Sequence, residues 1–266
     1  MKNIFIEGLQ GMGKSTLVSA LAEKLPQLHA YREGDYSPVD LAWCAWMTPA
    51  EYEAMLARFD DFREEIAPNT VCEGAYRIVP YTKIRTNDRS IYKAFEDFEI
   101  YNGRKTLSEL KAIIFTRYGN YRATGGLFEC AFFQNIIEDL ILYHQLSDDD
   151  IVAFYRDLWA VLDKENFLLL YLHGDQIEEN INIIRKERCD GQGHEIWYEM
   201  MLDFLTKCPY GQAHGYHAFE DMIAHFRHRQ QLELRIIREV IGHNAIVLSA
   251  KRWEIDEVLA CLKETE

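Results

Sequence analysis

Eight residues near the start of the chain, Gly8-Leu9-Gln10-Gly11-Met12-Gly13-Lys14-Ser15, match the pattern G-x-x-x-x-G-K-S/T. In a chain of this length, average residue frequencies give a chance match only about one time in a hundred. The chemistry of such a stretch is the cradling of phosphate. Gly8, Gly11 and Gly13 let the backbone curl so that its amides, Met12 among them, converge on an anion. Lys14 supplies a point charge for the β and γ oxygens of a triphosphate. The Ser15 hydroxyl can ligate Mg²⁺, and Thr16 adds a hydrogen bond nearby.

Phosphoryl transfer needs further groups: cations around the moving phosphoryl and a carboxylate near its acceptor. Glu33 and Asp35 are the candidates for the carboxylate, and Glu129 for holding Mg²⁺ directly or through water, with Glu73 and Asp175 as weaker substitutes. Arg185 and Arg188, three residues apart on one helical face, can close over ATP phosphates. Each has a plainer alternative. Glu33 or Asp35 can cap a helix beginning near Ser37, Glu129 can be a structural acid, and cations also suit the last turn of any helix. Trp43, Trp46, Phe132 and Phe133 can stack a flat substrate, but the same spacing suits a hydrophobic core. Cys189, His194, Cys208, His214 and His217 form a loose group whose spacing fits no compact zinc pattern, so they read as reduced thiols and surface imidazoles.

These side chains need elements to position them. Lys2 to Glu7 reads as a buried strand leading into the glycine-rich turn, and Lys14 to Leu25 as a helix ended by Pro26. Gln27 to Arg32 suggests a second strand. Ser37 to Met47 and Pro49 to Ile66 read as helices, the second capped by Thr48 with Pro49 at its first position. Thr70 to Thr82 suits a strand or hairpin, and Ile91 to Tyr121 is mostly helical in pattern. Gly126 to Glu129 reads as a short buried strand, followed by helices through Gln145 and from the acidic triplet at Asp148 through Leu162. Phe167 to His173 is the clearest strand in the chain. A helix carrying Ile177, Ile181 and Ile184 then ends in Arg185-Lys186-Glu187-Arg188, followed by helices at Glu195 to Lys207 and Phe219 to Ile241. Strand Asn244 to Ser249 and a final helix close the chain. Strands alternating with helices imply an α/β fold with a mainly parallel sheet covered on both faces. No interdomain linker stands out, so the expectation is one domain over 1–266, with an insertion at 76–125 and a lid at 185–217.

Residues 3 to 16, NIFIEGLQGMGKST, resemble the opening of deoxynucleoside kinases and thymidylate kinases, where Glu directly precedes the loop and Ser-Thr follows the lysine. That resemblance implies a three-layer P-loop NTPase fold with a helical insertion and a lid, and an enzyme that uses ATP and Mg²⁺. It implies a general-base carboxylate at the end of the second strand, where this chain has Arg32-Glu33-Gly34-Asp35, and lid arginines where it has Arg185 and Arg188. Where the family ends its third strand in Glu-Arg, this chain has Glu129-Cys130. The activity implied is transfer of the γ-phosphoryl group of ATP to a hydroxyl or phosphate of a small molecule, a nucleoside or nucleotide, with an antibiotic hydroxyl as a further acceptor.

Two other functions stay open at this point. A GTPase switch has Ser249-Ala250-Lys251 and Asp190-Gly191-Gln192-Gly193 in its favour, but no N-K-x-D follows the Phe167 to His173 strand. A nucleotide-binding module without turnover is the other. Composition narrows the partners. The net charge of −14 repels a polyphosphate backbone, so bulk nucleic acid is not expected and an anionic substrate needs a local cluster of cations. The longest strongly apolar run, Phe167 to Leu172, is far shorter than the roughly 20 residues of a membrane-spanning helix. With six dispersed cysteines and no C-x-x-C pair, a cytoplasmic protein with no membrane association is the expectation. The insertion has three open roles: completing the acceptor pocket, covering a sheet edge, or forming a homodimer face.

Overall fold

The computed structural model describes residues 1–265. In chain order it opens with β1 (Asn3–Gly8), α1 (Lys14–Lys24) and β2 (His29–Tyr31). Next come β3 (Cys44–Met47), α2 (Pro49–Arg58), α3 (Arg63–Ile66), β4 (Val71–Glu73), β5 (Tyr76–Pro80), α4 (Arg89–Glu96) and α5 (Leu107–Asn120). Then follow β6 (Gly126–Glu129), α6 (Gln134–Leu142), α7 (Asp148–Val161), β7 (Phe167–His173) and α8 (Ile177–Glu187). The chain closes with α9 (Ile196–Lys207), α10 (Pro209–His214), α11 (Phe219–Ile236), β8 (Ala245–Ser249) and α12 (Ile255–Glu264). It divides into two compact units, one made of Met1–Ala30 with Arg122–Glu266, the other of Tyr31–Tyr121. The insertion expected at 76–125 thus falls, up to Tyr121, in the later part of a unit that begins at Tyr31 and has a sheet and core of its own.

The first unit is an α/β fold with a five-stranded sheet in the order β2-β6-β1-β7-β8, flanked by helices. β1 pairs in parallel with both β6 and β7, and β7 with β8. A strand buried on both faces reads as an unbroken apolar run, which is why Phe167 to His173 was legible and why β1 is buried along its whole length. Phe5 of β1 stacks on Phe128 of β6 at 4.7 Å and on Phe167 of β7 at 4.6 Å, with Phe132 and Trp159 packed around them. Phe132 and Phe133 are fully buried, so in this unit they are core. Asn3 ties the lower end of the sheet, its amide donating to Ala123 O at 2.7 Å while its carbonyl accepts from Gly126 N at 2.8 Å.

The order of the strands decides where a ligand can sit. From β1 the chain runs through α1 to β2, at the sheet edge beyond β6. From β6 it runs through α6 and α7 to β7, on the opposite side of β1. The connections leaving adjacent β1 and β6 therefore diverge at the carboxyl ends of these strands, and that divergence opens the crevice in which α/β sheets bind ligands.

The second unit holds a three-stranded antiparallel sheet, β3-β5-β4, covered by a cluster of apolar side chains that includes Met47, Leu56, Val79, Ile84, Ile91 and Phe95. β4 and β5 form the hairpin read between Thr70 and Thr82, turning at Gly74 with φ 55°. The helix expected over Ser37 to Met47 is not formed. Ser37 Oγ instead accepts from the amides of Val39 and Asp40, Asp40 accepts from Ala42 N at 3.2 Å, and Trp43 adopts φ 58°. Short polar side chains bonded to their own backbone compete with helix, and β3 then gains a full antiparallel register with β5. The helix expected over Pro49 to Ile66 keeps its Thr48 cap but breaks after Arg58, where Phe59 leaves helical geometry at φ −119° and ψ 49°.

Two buried acids mark this unit. Asp40 accepts a hydrogen bond from Tyr101 at 2.5 Å, and burial lifts its carboxyl to about 6. Glu99 accepts from Tyr81 and, at 2.8 Å, from Asn102, yet burial lifts it to about 7. A carboxyl raised in the folded state binds its proton more tightly there than in the unfolded chain. Its contribution is therefore complete below about pH 4.5 and is lost as pH rises through 7. Glu99→Gln, which keeps an acceptor for Tyr81 and carries no charge, should flatten the fall of stability between pH 4.5 and 7 by up to about 3 kcal/mol. Thermal unfolding of both proteins across that range measures the difference, and an unchanged slope would count against a protonated Glu99.

Candidate active site

At the divergence point β1 ends in Gly8 and the chain enters the glycine loop. Gly8 has φ 140°, and a Cβ there would lie 2.6 Å from Leu172 O of β7, so only glycine lets the loop leave the sheet this tightly. A side chain at Gly11, which has φ 75°, would collide with Ile184 of α8. Gly13, at φ 90°, occupies the cap position of α1, and among the described residues no side chain caps that helix and no acid sits in its first turn. The leading amides of α1 lack intrahelical acceptors, and the helix end carries partial positive charge, so an anion is the natural complement here.

Lys14 is buried, and its Nζ donates to Gly8 O at 2.7 Å and Leu9 O at 3.0 Å. The ammonium thus folds back over the loop and closes it into a ring. Ser15 stands beside it, donating its hydroxyl to Glu129 Oε1. Glu129 reaches this position because β6 lies next to β1 in parallel register, with Ile6 opposite Glu129. Cys130, which follows it, takes left-handed backbone at φ 58° and donates its amide to Ile6 O at 3.1 Å. This conformation costs a non-glycine residue about 1 kcal/mol and turns the chain sharply after the carboxylate. A hydroxyl and a carboxylate thus meet beside the glycine loop as a pair of hard oxygen donors.

Glu7, which the motif left unassigned, supports this corner from below. Its carboxylate accepts from Phe132 N at 2.5 Å and Gln134 N at 3.4 Å, holding the start of α6. Complete burial lifts its carboxyl to about 7 despite the Phe132 and Phe133 amides and the nearby Lys14 charge. The loop is also gripped from the side: Asn180 of α8 donates to Met12 Sδ at 3.5 Å and accepts from Lys251 Nζ at 2.7 Å.

The other sequence candidates have partners of their own. Arg185 donates from Nε and Nη2 to a single oxygen of Glu195, at 3.0 and 2.6 Å, and its guanidinium lies over the rings of Tyr198 and Phe219 at 4.0 and 4.9 Å. Arg188 lies over Trp197 at 5.7 Å. In this structure both cations therefore pack against aromatic side chains of the 185–217 segment and α11, and Ile184 beside them touches the loop. Glu33 and Asp35 belong to the second unit, on either side of Gly34 at φ 84°. Glu33 accepts from Trp43 Nε1 at 3.2 Å, and Asp35 pairs with Lys83 and accepts from Arg32 N at 2.8 Å. A hollow of about 500 Å³ lined by Glu65, Asn69, Thr82, Lys83 and Arg85 adjoins that turn, with Thr82 Oγ1 donating to Gly34 O at 3.4 Å. Glu73 pairs with Arg117, and Asp175 lies 3.6 Å from His173 Nε2. Among the described residues no group of three or more His, Cys, Asp or Glu is arranged to hold a metal ion, the Cys189 to His217 set included. No described helix is long and apolar enough to cross a membrane.

No family model matches the chain, and no curated protein matches it either.

Proposed function

We propose that the chain is a P-loop phosphotransferase of the nucleoside and nucleotide kinase type, using ATP with Mg²⁺ to phosphorylate a hydroxyl or phosphate of a small molecule. The observation that carries this reading is the meeting of Lys14, Ser15 and Glu129 around an uncapped helix start, where the connections from β1 and β6 diverge. The loop amides bind and orient the triphosphate, Lys14 exchanges its carbonyl partners for phosphate oxygens, and Glu129 orients the Ser15 hydroxyl. When bound, Mg²⁺ neutralises charge on the transferring group, with Ser15 and Glu129 as its protein-side holders. Asp35 or Glu33 serves as the base that takes the acceptor proton, and Arg185 and Arg188 are the cations available to close on the phosphates once released from their aromatic partners.

The guanine-switch alternative finds less support. Asp190 of its D-x-x-G stretch closes its own turn, accepting from Gln192 N at 2.8 Å and His194 N at 2.9 Å. The deciding experiment incubates the protein with labelled Mg-ATP and a panel of nucleosides, monophosphates and aminoglycoside-type alcohols. Stoichiometric transfer to one class supports the kinase. Strong preference for guanine over adenine nucleotides with no transfer supports a switch, and tight Mg-ATP binding with no acceptor supports a module without turnover. Once an acceptor is known, the double substitution Glu33→Gln with Asp35→Asn should lower transfer about a hundredfold while ATP affinity stays within twofold. Undiminished transfer would remove both as the base.

A further inference from the structure

Beneath the loop of the first unit lies a buried charge network that the phosphate chemistry does not by itself require. Arg229 of α11 is wholly buried. Its Nη1 donates to Glu138 of α6, its Nε lies 3.1 Å from Glu233 one helical turn on, and its Nη2 donates to Gln10 Oε1 at 3.1 Å. Tyr171 of β7 donates to the other Glu233 oxygen at 2.5 Å, and His225 Nε2 lies 2.7 Å from the other Glu138 oxygen. Burial would raise Glu138, but the charges of His225 and Arg229 hold it down to about 2, so it is a firm anchor for the guanidinium.

Buried ion pairs are poor devices for stability, because well-packed apolar residues of similar volume usually do as well. A planar fork with several fixed donor directions does something apolar packing cannot: it fixes an acceptor at a set distance and angle. Here one donor direction is taken by the Glu138 carboxylate on α6 and another is given to a loop side chain, while Glu233 on α11 faces Nε as an ion pair without hydrogen-bond geometry.

We infer that Arg229 is a positioning residue: anchored by Glu138 and Glu233, it holds the Gln10 side chain beneath the loop and so sets the curvature that aims the Gly8–Lys14 amides at an anion. This rests on the phosphate-site reading of the loop. With Gln10 released, the backbone gains freedom that anion binding must remove, so affinity falls without any loss of a direct ligand contact.

The test is calorimetry with Mg-ATP on the full chain, paired with thermal unfolding. Gln10→Met keeps length and removes the acceptor, and it should raise Kd about tenfold while the thermal midpoint moves by no more than a few degrees. Arg229→Lys keeps a charge between the two carboxylates but loses the Nη2 donor, and it should raise Kd similarly. Combined, the two changes should weaken binding no further than either alone, as expected when both cut one linkage. Wild-type affinity in Gln10→Met, or losses that add, would overturn the inference while leaving the nucleotide reading intact. Absence of binding by the wild-type chain would overturn both. Should Arg229→Lys fail to fold, Gln10→Met alone decides.

Discussion

Lys14→Met should reduce phosphotransfer about a thousandfold while the chain stays folded. On the proposed phosphotransferase reading, the magnitude is that of removing a preorganised charge from the site where negative charge develops in the transition state. Met preserves the unbranched stem, which is buried along with the rest of the side chain. What disappears is the ammonium and its two bonds, to Gly8 O and Leu9 O. Those carbonyls belong to buried residues, so leaving them without their donor costs stability about 1–3 kcal/mol. Transfer of label from ATP, read beside far-ultraviolet circular dichroism, separates lost chemistry from lost fold. A variant that retains full transfer would show that Lys14 closes the loop and nothing more.

Phe5→Ala is expected to give the largest loss of stability. Its ring is 2% exposed and lies between Phe128 at 4.7 Å and Phe167 at 4.6 Å, with Phe132 at 6.0 Å. Deleting it removes the transfer energy of a buried aromatic and opens a cavity between three strands that cannot collapse, because β1 is hydrogen-bonded on both sides. The expected cost is about 3–5 kcal/mol, which lowers the melting midpoint of this unit by roughly 10 °C. Because β1 ends in the loop, nucleotide binding should be lost over the same temperature range. A midpoint within a degree or two of wild type would mean that the stack across β6, β1 and β7 does not hold the sheet together. Differential scanning calorimetry measures it, and a second transition that does not move would belong to the Tyr31–Tyr121 unit.

Much of the first unit was legible before any coordinates. The glycine loop, β7, β8 and α8 follow from signals carried by neighbouring residues: a run of apolar side chains, a 3.6-residue period, glycines where backbone must turn. The acidic triplet at Asp148 marked the start of α7 for the same reason, and the structure adds Ser147 as its cap, Oγ accepting from Asp150 N at 3.2 Å. The stretch from Ser37 to Met47 misled because Ser37 followed by Pro38 has the form of a helix cap and first position, while Trp43 in left-handed backbone and pairing with β5 decide otherwise. Glu7 and Arg229 gave no local sign of their roles, since an acid ending a strand and an arginine within a polar helical stretch are ordinary until their partners are known.

Alone, the sequence determined that a strand, a glycine loop and a helix follow one another at residues 3 to 24, and that Lys14 and Ser15 open that helix, because each step depends on residues within a few positions. Folding in three dimensions decided that β6 lies beside β1, so that Glu129 meets Ser15 across more than a hundred residues. It also set Arg229 under Gln10 and made Tyr31–Tyr121 a unit with its own core. Those outcomes depend on strand order and on which buried charges find partners, and both are settled by long-range packing that no short window of sequence contains.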